Sequence, residues 1–356
     1  MACCHNRCMA LKINPFHQLT WRNPNTLQIG TDYRATILPE VSPAQERFID
    51  ALYYGAPENQ LAAIARQIRL PQAEADGLLS QLAPLLIKTT DAWEPSNRGL
   101  AERVQASLDN ATDEGAVMHR RGQSVVQVNQ LDATGLGLVL ALAASGVGTL
   151  LSPDHGKVTE ADCASNLYPK ALLGYQRFQA AKLILDSSWP GSRMVSSARI
   201  FKSTPKPRLV VLTNQQVTPM EEVGRWRTLA TPVLEIRYNS TGAEISPVLT
   251  NDSACLLCRE HRSQDADAGH LTTVTQLANG QLRFDDSGTR MVASGLAVQQ
   301  ILRFLDGPSS TDAEPIGFNL TRLPELKLES RVWQPHPNCG CRIGREFTAP
   351  PLAEAG

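Results

Sequence analysis

The chain has 356 residues, 42% of them hydrophobic but only 5% aromatic, which gives room for two or three globular domains with ordinary cores. Its 34 Lys and Arg against 35 Asp and Glu leave a formal charge of −1. That balance excludes a global field drawing the protein toward nucleic acid or an anionic membrane. No secretory signal is visible, so a cytoplasmic location is expected.

The opening Met1-Ala-Cys-Cys-His-Asn-Arg-Cys8 differs in composition from the rest of the chain. It reads as a disordered leader, residues 1–8, with Met9 an alternative start. Residues 9–88 read as a small α+β unit. Leu11–Ile13, Leu19–Trp21, Leu27–Ile29 and Ala35–Leu38 are short alternating runs between Asn, Pro and Gly turns, the signature of strands. Ser42-Pro43 predicts a helix start, with Phe48, Ile49 and Leu52 on one face. Helices follow over Gln60–Ile68 and Pro71–Leu82, and Leu85–Ile87 closes the unit as a strand. Hairpins plus three helices, two joined by the short Arg69-Leu-Pro71 turn, describe a winged helix-turn-helix.

Residues 89–122 are polar and predict a linker holding an amphipathic helix over Gly99–Leu108. From Ser124 the pattern alternates: strand to Val128, helix Gly135–Ser145, strand Thr149–Ser152, helix Gly174–Leu185, strand Leu209–Leu212. Such alternation predicts a largely parallel sheet covered by helices. The apolar stretch Gly135–Leu151 is marginal for a bilayer and interrupted by Gly146-Val-Gly148, so a buried helix and strand are expected, not a membrane span. A hairpin over Val233–Tyr238 and Ala243–Leu249 comes next, then a helix over Met291–Leu305. Residues 123–345 form this α/β domain, and 346–356 a disordered tail.

Two cysteine pairs stand out, Cys255-Leu-Leu-Cys258 and Cys339-Gly-Cys341, separated by 80 residues. Two close pairs suit a closed tetrahedral zinc site, in which the protein fills every position and the metal is structural. Two unrelated free-thiol pairs are the bland alternative. His336 is a further possible ligand, although the prolines on both sides favour a turn.

These features together resemble the ThiF/MoeB, ubiquitin-activating-enzyme-like superfamily, and within it the cyclodehydratase partner proteins of thiazole/oxazole-modified peptide pathways. Carrying the resemblance are Gly135 with Gly146-Val-Gly148, the strand Thr149–Ser152 with Asp154, Ser165-Asn-Leu167, Gly174-Tyr-Gln-Arg177 and the paired cysteines. Trp21-Arg22 and Gln28-Ile-Gly30 look like the peptide-recognition winged helix found ahead of this fold. The resemblance implies a homodimer, a leader-like peptide ligand and a partner modification enzyme.

It also implies an ATP site at the first strand–helix turn, where glycines let backbone N–H groups reach phosphate. The three glycine positions fall at Gln130, Asp132 and Gly135, so two are lost. A carboxylate about 4 Å from phosphate costs on the order of 4 kcal/mol per charge pair at an effective dielectric near 20. Pro169 holds the place of a phosphate-contacting arginine, and Gln215 that of the catalytic aspartate, which weakens any Mg²⁺ site. Gly135, Asp154, Asn166 and Arg177 remain as cofactor-binding candidates, with Asp154 set to contact a ribose hydroxyl or to serve as a turn residue. Cys163 is expected to be a packed thiol.

The expected role is therefore a scaffold or peptide-recognition protein of a peptide-modification pathway with a degenerate ATP site. The alternative is an ATP-dependent adenylyltransferase that activates a peptide or sulfur-carrier carboxylate. A winged-helix DNA-binding regulator is third, disfavoured because residues 1–100 carry nine Lys or Arg and nine Asp or Glu, no basic excess.

Overall fold

A computed structural model describes residues 10–31, 33, 35–89, 101–102, 104–105, 107, 114–198, 204–278, 280, 282–307, 315–322 and 324–342. The leader, the tail and most of the linker before residue 114 lie outside these residues. The chain divides into two compact units, one of residues 1–122 with 144–146, the other of the remainder.

In the first unit, β1 (Ala10–Ile13) lies between β5 (Ala56–Pro57) and β6 (Leu86–Thr89), all antiparallel. A second antiparallel sheet runs in the order β2 (Leu19–Asn23), β3 (Thr26–Ile29), β4 (Thr36–Leu38). Helix α1 (Pro43–Tyr54) starts on the expected capping box: Gln45 N–H donates to Ser42 Oγ at 3.2 Å, and Ser42 N–H to the Gln45 side chain at 2.9 Å. Its Phe48, Ile49 and Leu52 face inward as predicted. Arg69, at φ +62°, reverses the chain between α2 (Leu61–Gln67) and α3 (Gln72–Leu82). Phe48 sits among Ile13, Leu27, Ile29 and Leu82, all buried in one cluster. Phe48→Ala should cost about 3–5 kcal/mol of stability, read by chemical denaturation.

The second unit is built on an eight-stranded sheet in the order β14-β13-β12-β11-β10-β7-β8-β9. Five strands are parallel: β11 (Val233–Asn239), β10 (Leu209–Gln215), β7 (Val125–Val128), β8 (Thr149–Ser152) and β9 (Arg193–Ser196). β12 (Gly242–Ile245), β13 (Ile316–Thr321) and β14 (Lys327–Val332) continue antiparallel. β8 is buried at every position and β10 at all but its last, as parallel strands covered on both faces should be. Their apolar runs match the predicted strands for that reason.

Helices α4 (Glu114–Gln123), α5 (Ala133–Ala144), α6 (Glu160–Cys163), α7 (Arg177–Ser188), α8 (Met220–Thr228), α9 (Leu256–Ala266), α10 (His270–Leu277) and α11 (Ser287–Asp306) complete the order. α5 is apolar all round and mostly buried, which accounts for the membrane-like stretch. Among the described residues, no helix is long and apolar enough to cross a membrane. The helix expected over Gly174–Leu185 runs over Arg177–Ser188, and two further boundaries shift. β12 stops at Ile245 because Ser246-Pro247 cannot extend the ladder, and only a single bridge joins Leu249 to Val233. α11 begins a turn before Met291 because Asp286 caps it, accepting from Thr289 N–H at 3.2 Å.

Candidate functional site

The loop from β7 to α5 turns at Asn129–Asp132 beneath its own helix. Gly135 is required here by close approach: a Cβ would stand 1.7 Å from the Gln130 carbonyl oxygen. Gly135→Ala should therefore displace the loop and cost on the order of 2–4 kcal/mol, measured by denaturant titration.

The backbone donors of this turn are already bonded to carboxylates. Leu131 N–H donates to Asp154 Oδ2 at 2.7 Å, and Gly156 N–H to Asp154 Oδ1 at 2.7 Å. Gly135 N–H donates to Asp132 Oδ1 at 3.1 Å. Asp154 thus ties the loop after β8 to the loop after β7. Tyr168 reinforces the tie, donating its hydroxyl to the Leu131 carbonyl at 2.6 Å. Burial, with nearby Asp162, raises the Tyr168 pKa far above the usual phenol value, so it stays protonated.

Asp132 does not stand bare toward phosphate, which corrects the expected repulsion. Its Oδ2 accepts from Arg283 Nη2 at 2.8 Å, and the same nitrogen reaches Asp285 Oδ2 at 2.6 Å. Gln215 is drawn into this cluster, donating to Asp285 Oδ1 at 3.1 Å and accepting from Phe284 N–H at 2.9 Å. Two carboxylates share the Arg283 guanidinium here and Arg290 stands 3.9 Å from Asp285, so Asp132 is not an isolated negative charge.

Arg177, at the start of α7, bonds Asp162 through Nε at 3.0 Å and Nη2 at 2.8 Å, and lies 3.7 Å from Asp154. Three of the four cofactor candidates, Gly135, Asp154 and Arg177, thus converge on one turn. Asn166 is exposed at φ +60°, and its side chain does not join them. Pro169 opens a short 3₁₀ turn, Lys170–Leu172, and Cys163 is a buried thiol facing the Pro169 carbonyl.

Sequence reading missed Arg283, Asp285 and Asp162. The signal for Asp285 was faint: Asp285-Asp286-Ser287 ahead of an apolar helix reads as a cap, and only the second aspartate caps.

The cysteine quartet forms as its spacing suggested. Cys255 precedes α9 and Cys258 lies in its first turn; Cys339 and Cys341 arrive on the loop after Trp333. The sulfurs stand 3.7 Å apart for Cys255–Cys258, 3.6 Å for Cys255–Cys339 and 3.4 Å for Cys258–Cys341, all four within 4.8 Å. A tetrahedral ion with bonds of about 2.3 Å needs sulfurs about 3.8 Å apart, so the set can hold one metal ion with no open position. His336 is committed elsewhere: Nε2 bonds Asp265 at 2.8 Å, Nδ1 accepts from Asn338 N–H at 3.2 Å, and the ring stacks on His261.

A second polar layer lies beside the quartet. Glu235, fully buried on β11, accepts from Arg259, Thr218 and Asn214. Burial pushes its pKa up, but Arg259, Arg237 and Thr218 outweigh it and hold the carboxyl below the usual carboxylate range.

Sheet order and crossover helices give the chain a fold shared with solved structures. Neither a family model nor a curated protein matches the chain. Among solved structures, E. coli MccB superimposes with a TM-score of 0.70 at 13% identity, over 96% of this chain and 99% of that one. The microcin C7 biosynthetic enzyme MccB in complex with N-formylated MccA gives 0.66 at 13%, over 93% and 99%. E. coli MccB has also been solved with ATP, likewise at 0.66. PaaA gives 0.56 at 17%, over 73% of this chain and 91% of that one. At these identities the likeness concerns the fold.

Proposed function

We propose that the chain is a ThiF-like scaffold and peptide-recognition protein of a cyclodehydratase-type peptide-modification pathway, its nucleotide site degenerate. The carrying observation is that the phosphate-loop N–H groups of Leu131 and Gly135 are spent on Asp154 and Asp132, while the cysteine quartet is kept. A triphosphate entering here must break those bonds and displace Arg283 from two buried carboxylates. The residues therefore do not fit ATP, and no chemical step is assigned to it. The metal is zinc in a structural role.

On this reading the first unit is a winged helix that captures an extended peptide along an open edge of its β2-β3-β4 sheet. β2 and β4 are the edges, and Trp21 and Ile37 present exposed apolar surface on them. That MccB has been solved with MccA supports a peptide ligand for the fold. A partner enzyme supplies the chemistry, and two copies pair as a homodimer.

Isothermal titration of the full chain with ATP·Mg²⁺ should show no binding in the micromolar range. Separately, selection from a displayed library of extended peptides should yield a sequence whose affinity falls at least tenfold in Trp21→Ala, with stability unchanged. Micromolar ATP binding with pyrophosphate exchange overturns the degenerate site; failure to enrich any peptide overturns the recognition role. The alternative, an adenylyltransferase, is favoured by one observation, that MccB of the same fold has been solved with ATP.

A further inference from the structure

Beside the cysteine quartet, but outside it, lies a cleft of about 390 Å³. Arg259, Arg262 and Ser263 of α9 form one wall; Arg331 of β14, Trp333 and Gln334 form the other. The three arginines are not equivalent. Arg259 is spent, bonded to Glu235, Glu260 and Thr218 and stacked 5.6 Å from the centre of the Trp333 ring. It gives the cleft a rigid floor. Glu244 also lines the cleft, yet its carboxylate is held by Arg237 and lies 3.6 Å from Arg259.

Arg262 and Arg331 differ from Arg237 and Arg259 beside them, which meet Glu244 and Glu235 respectively. Among the described residues, neither Arg262 nor Arg331 has such a partner. Arg262 is instead aimed by a neutral bond, Nη2 to the Pro335 carbonyl at 3.1 Å, leaving the remaining guanidinium N–H groups open. Its orientation is therefore set in advance by the loop that carries Cys339 and Cys341, which lowers the ordering cost of binding. Ser263 Oγ and the Gln334 amide add neutral donors. Of the charged residues that line it, Arg259, Arg262 and Arg331 stand against Glu244, so the lining keeps a net positive charge. Planar forks with free N–H groups, beside neutral donors and an aromatic wall, match the geometry of an oxyanion.

We propose that this cleft binds a phosphate or carboxylate group between Arg262 and Arg331, with Ser263 and Gln334 completing its shell. The site is independent of the peptide and nucleotide readings, since no group of the phosphate loop takes part.

The test is an NMR titration of the full-length, zinc-loaded chain at constant ionic strength, following the Trp333 indole N–H, with inorganic phosphate in one arm and acetate in the other. A saturable shift is expected, weakened at least fivefold in Arg331→Gln at unchanged melting temperature. Arg262→Lys should weaken it similarly, because the charge stays but the fork is lost. Saturation by phosphate ahead of acetate assigns a phosphoryl ligand, and the reverse order a carboxylate. Shifts that never saturate, or that persist unchanged in Arg331→Gln, overturn the site.

Discussion

Cys258→Ser is expected to abolish zinc binding and to lower the melting temperature by roughly 10 °C, the equivalent of about 4 kcal/mol in a domain of this size. The loss is large because the quartet closes a loop of 80 intervening residues and anchors α9 to the segment after β14. Proton linkage supplies a second readout. The hydrogen bond with Cys255 brings the Cys258 pKa down to about 4. Burial, with the hydrogen bond to Cys258, pushes Cys341 up to about 11, and the Cys258 bond likewise raises Cys255. Binding a metal must expel those protons, so zinc affinity should climb steeply from pH 6 to 8. Inductively coupled plasma analysis after dialysis against a chelator measures the stoichiometry. One zinc per chain retained by the serine variant contradicts the clip.

The contrast between what the sequence disclosed and what it hid has a physical origin. β8, β10 and α5 are legible because their residues answer to burial alone, and burial writes continuous apolar runs. The quartet is legible because two-residue and one-residue spacings fix thiol positions locally. The Asp132–Arg283–Asp285 cluster is not, since Asp132 lies 151 residues before Arg283 and meets it only in the folded chain. β13 and β14 escape for another reason: β14 is exposed at nearly every position, so Lys327–Val332 carries no alternation to read. α10 buries no residue, and α9 buries Arg259 and Glu260 beside Leu256 and Cys258, so neither presents a purely apolar stripe to a core. A single charge at Asp132 suggested repulsion; its partner could be found only in space. The same holds for Asp154, whose two acceptor bonds tie it into the turn.

Arg259→Met should be the other severe substitution, costing about 3–5 kcal/mol by stranding Glu235 at the centre of the sheet. The sign of its pH dependence separates this cause from simple loss of packing. In the native chain the folded-state pKa of Glu235 is depressed, so its contribution is present above the unfolded carboxylate value, near 4.3, and is lost as pH falls through the folded value. Without Arg259, burial acts against weaker opposition and raises that pKa. The contribution is then present only below the unfolded value and disappears as pH rises. The stability difference between native and variant chains should accordingly narrow from pH 7 toward pH 5, both measured zinc-loaded at each pH so that the metal's own proton release cancels. Adding Glu235→Gln to Arg259→Met should recover part of the loss and flatten the slope, because an amide carries no charge to desolvate. A gap that stays constant with pH would mean that Arg259 acts through its stack on Trp333 and not as the counter-charge of Glu235.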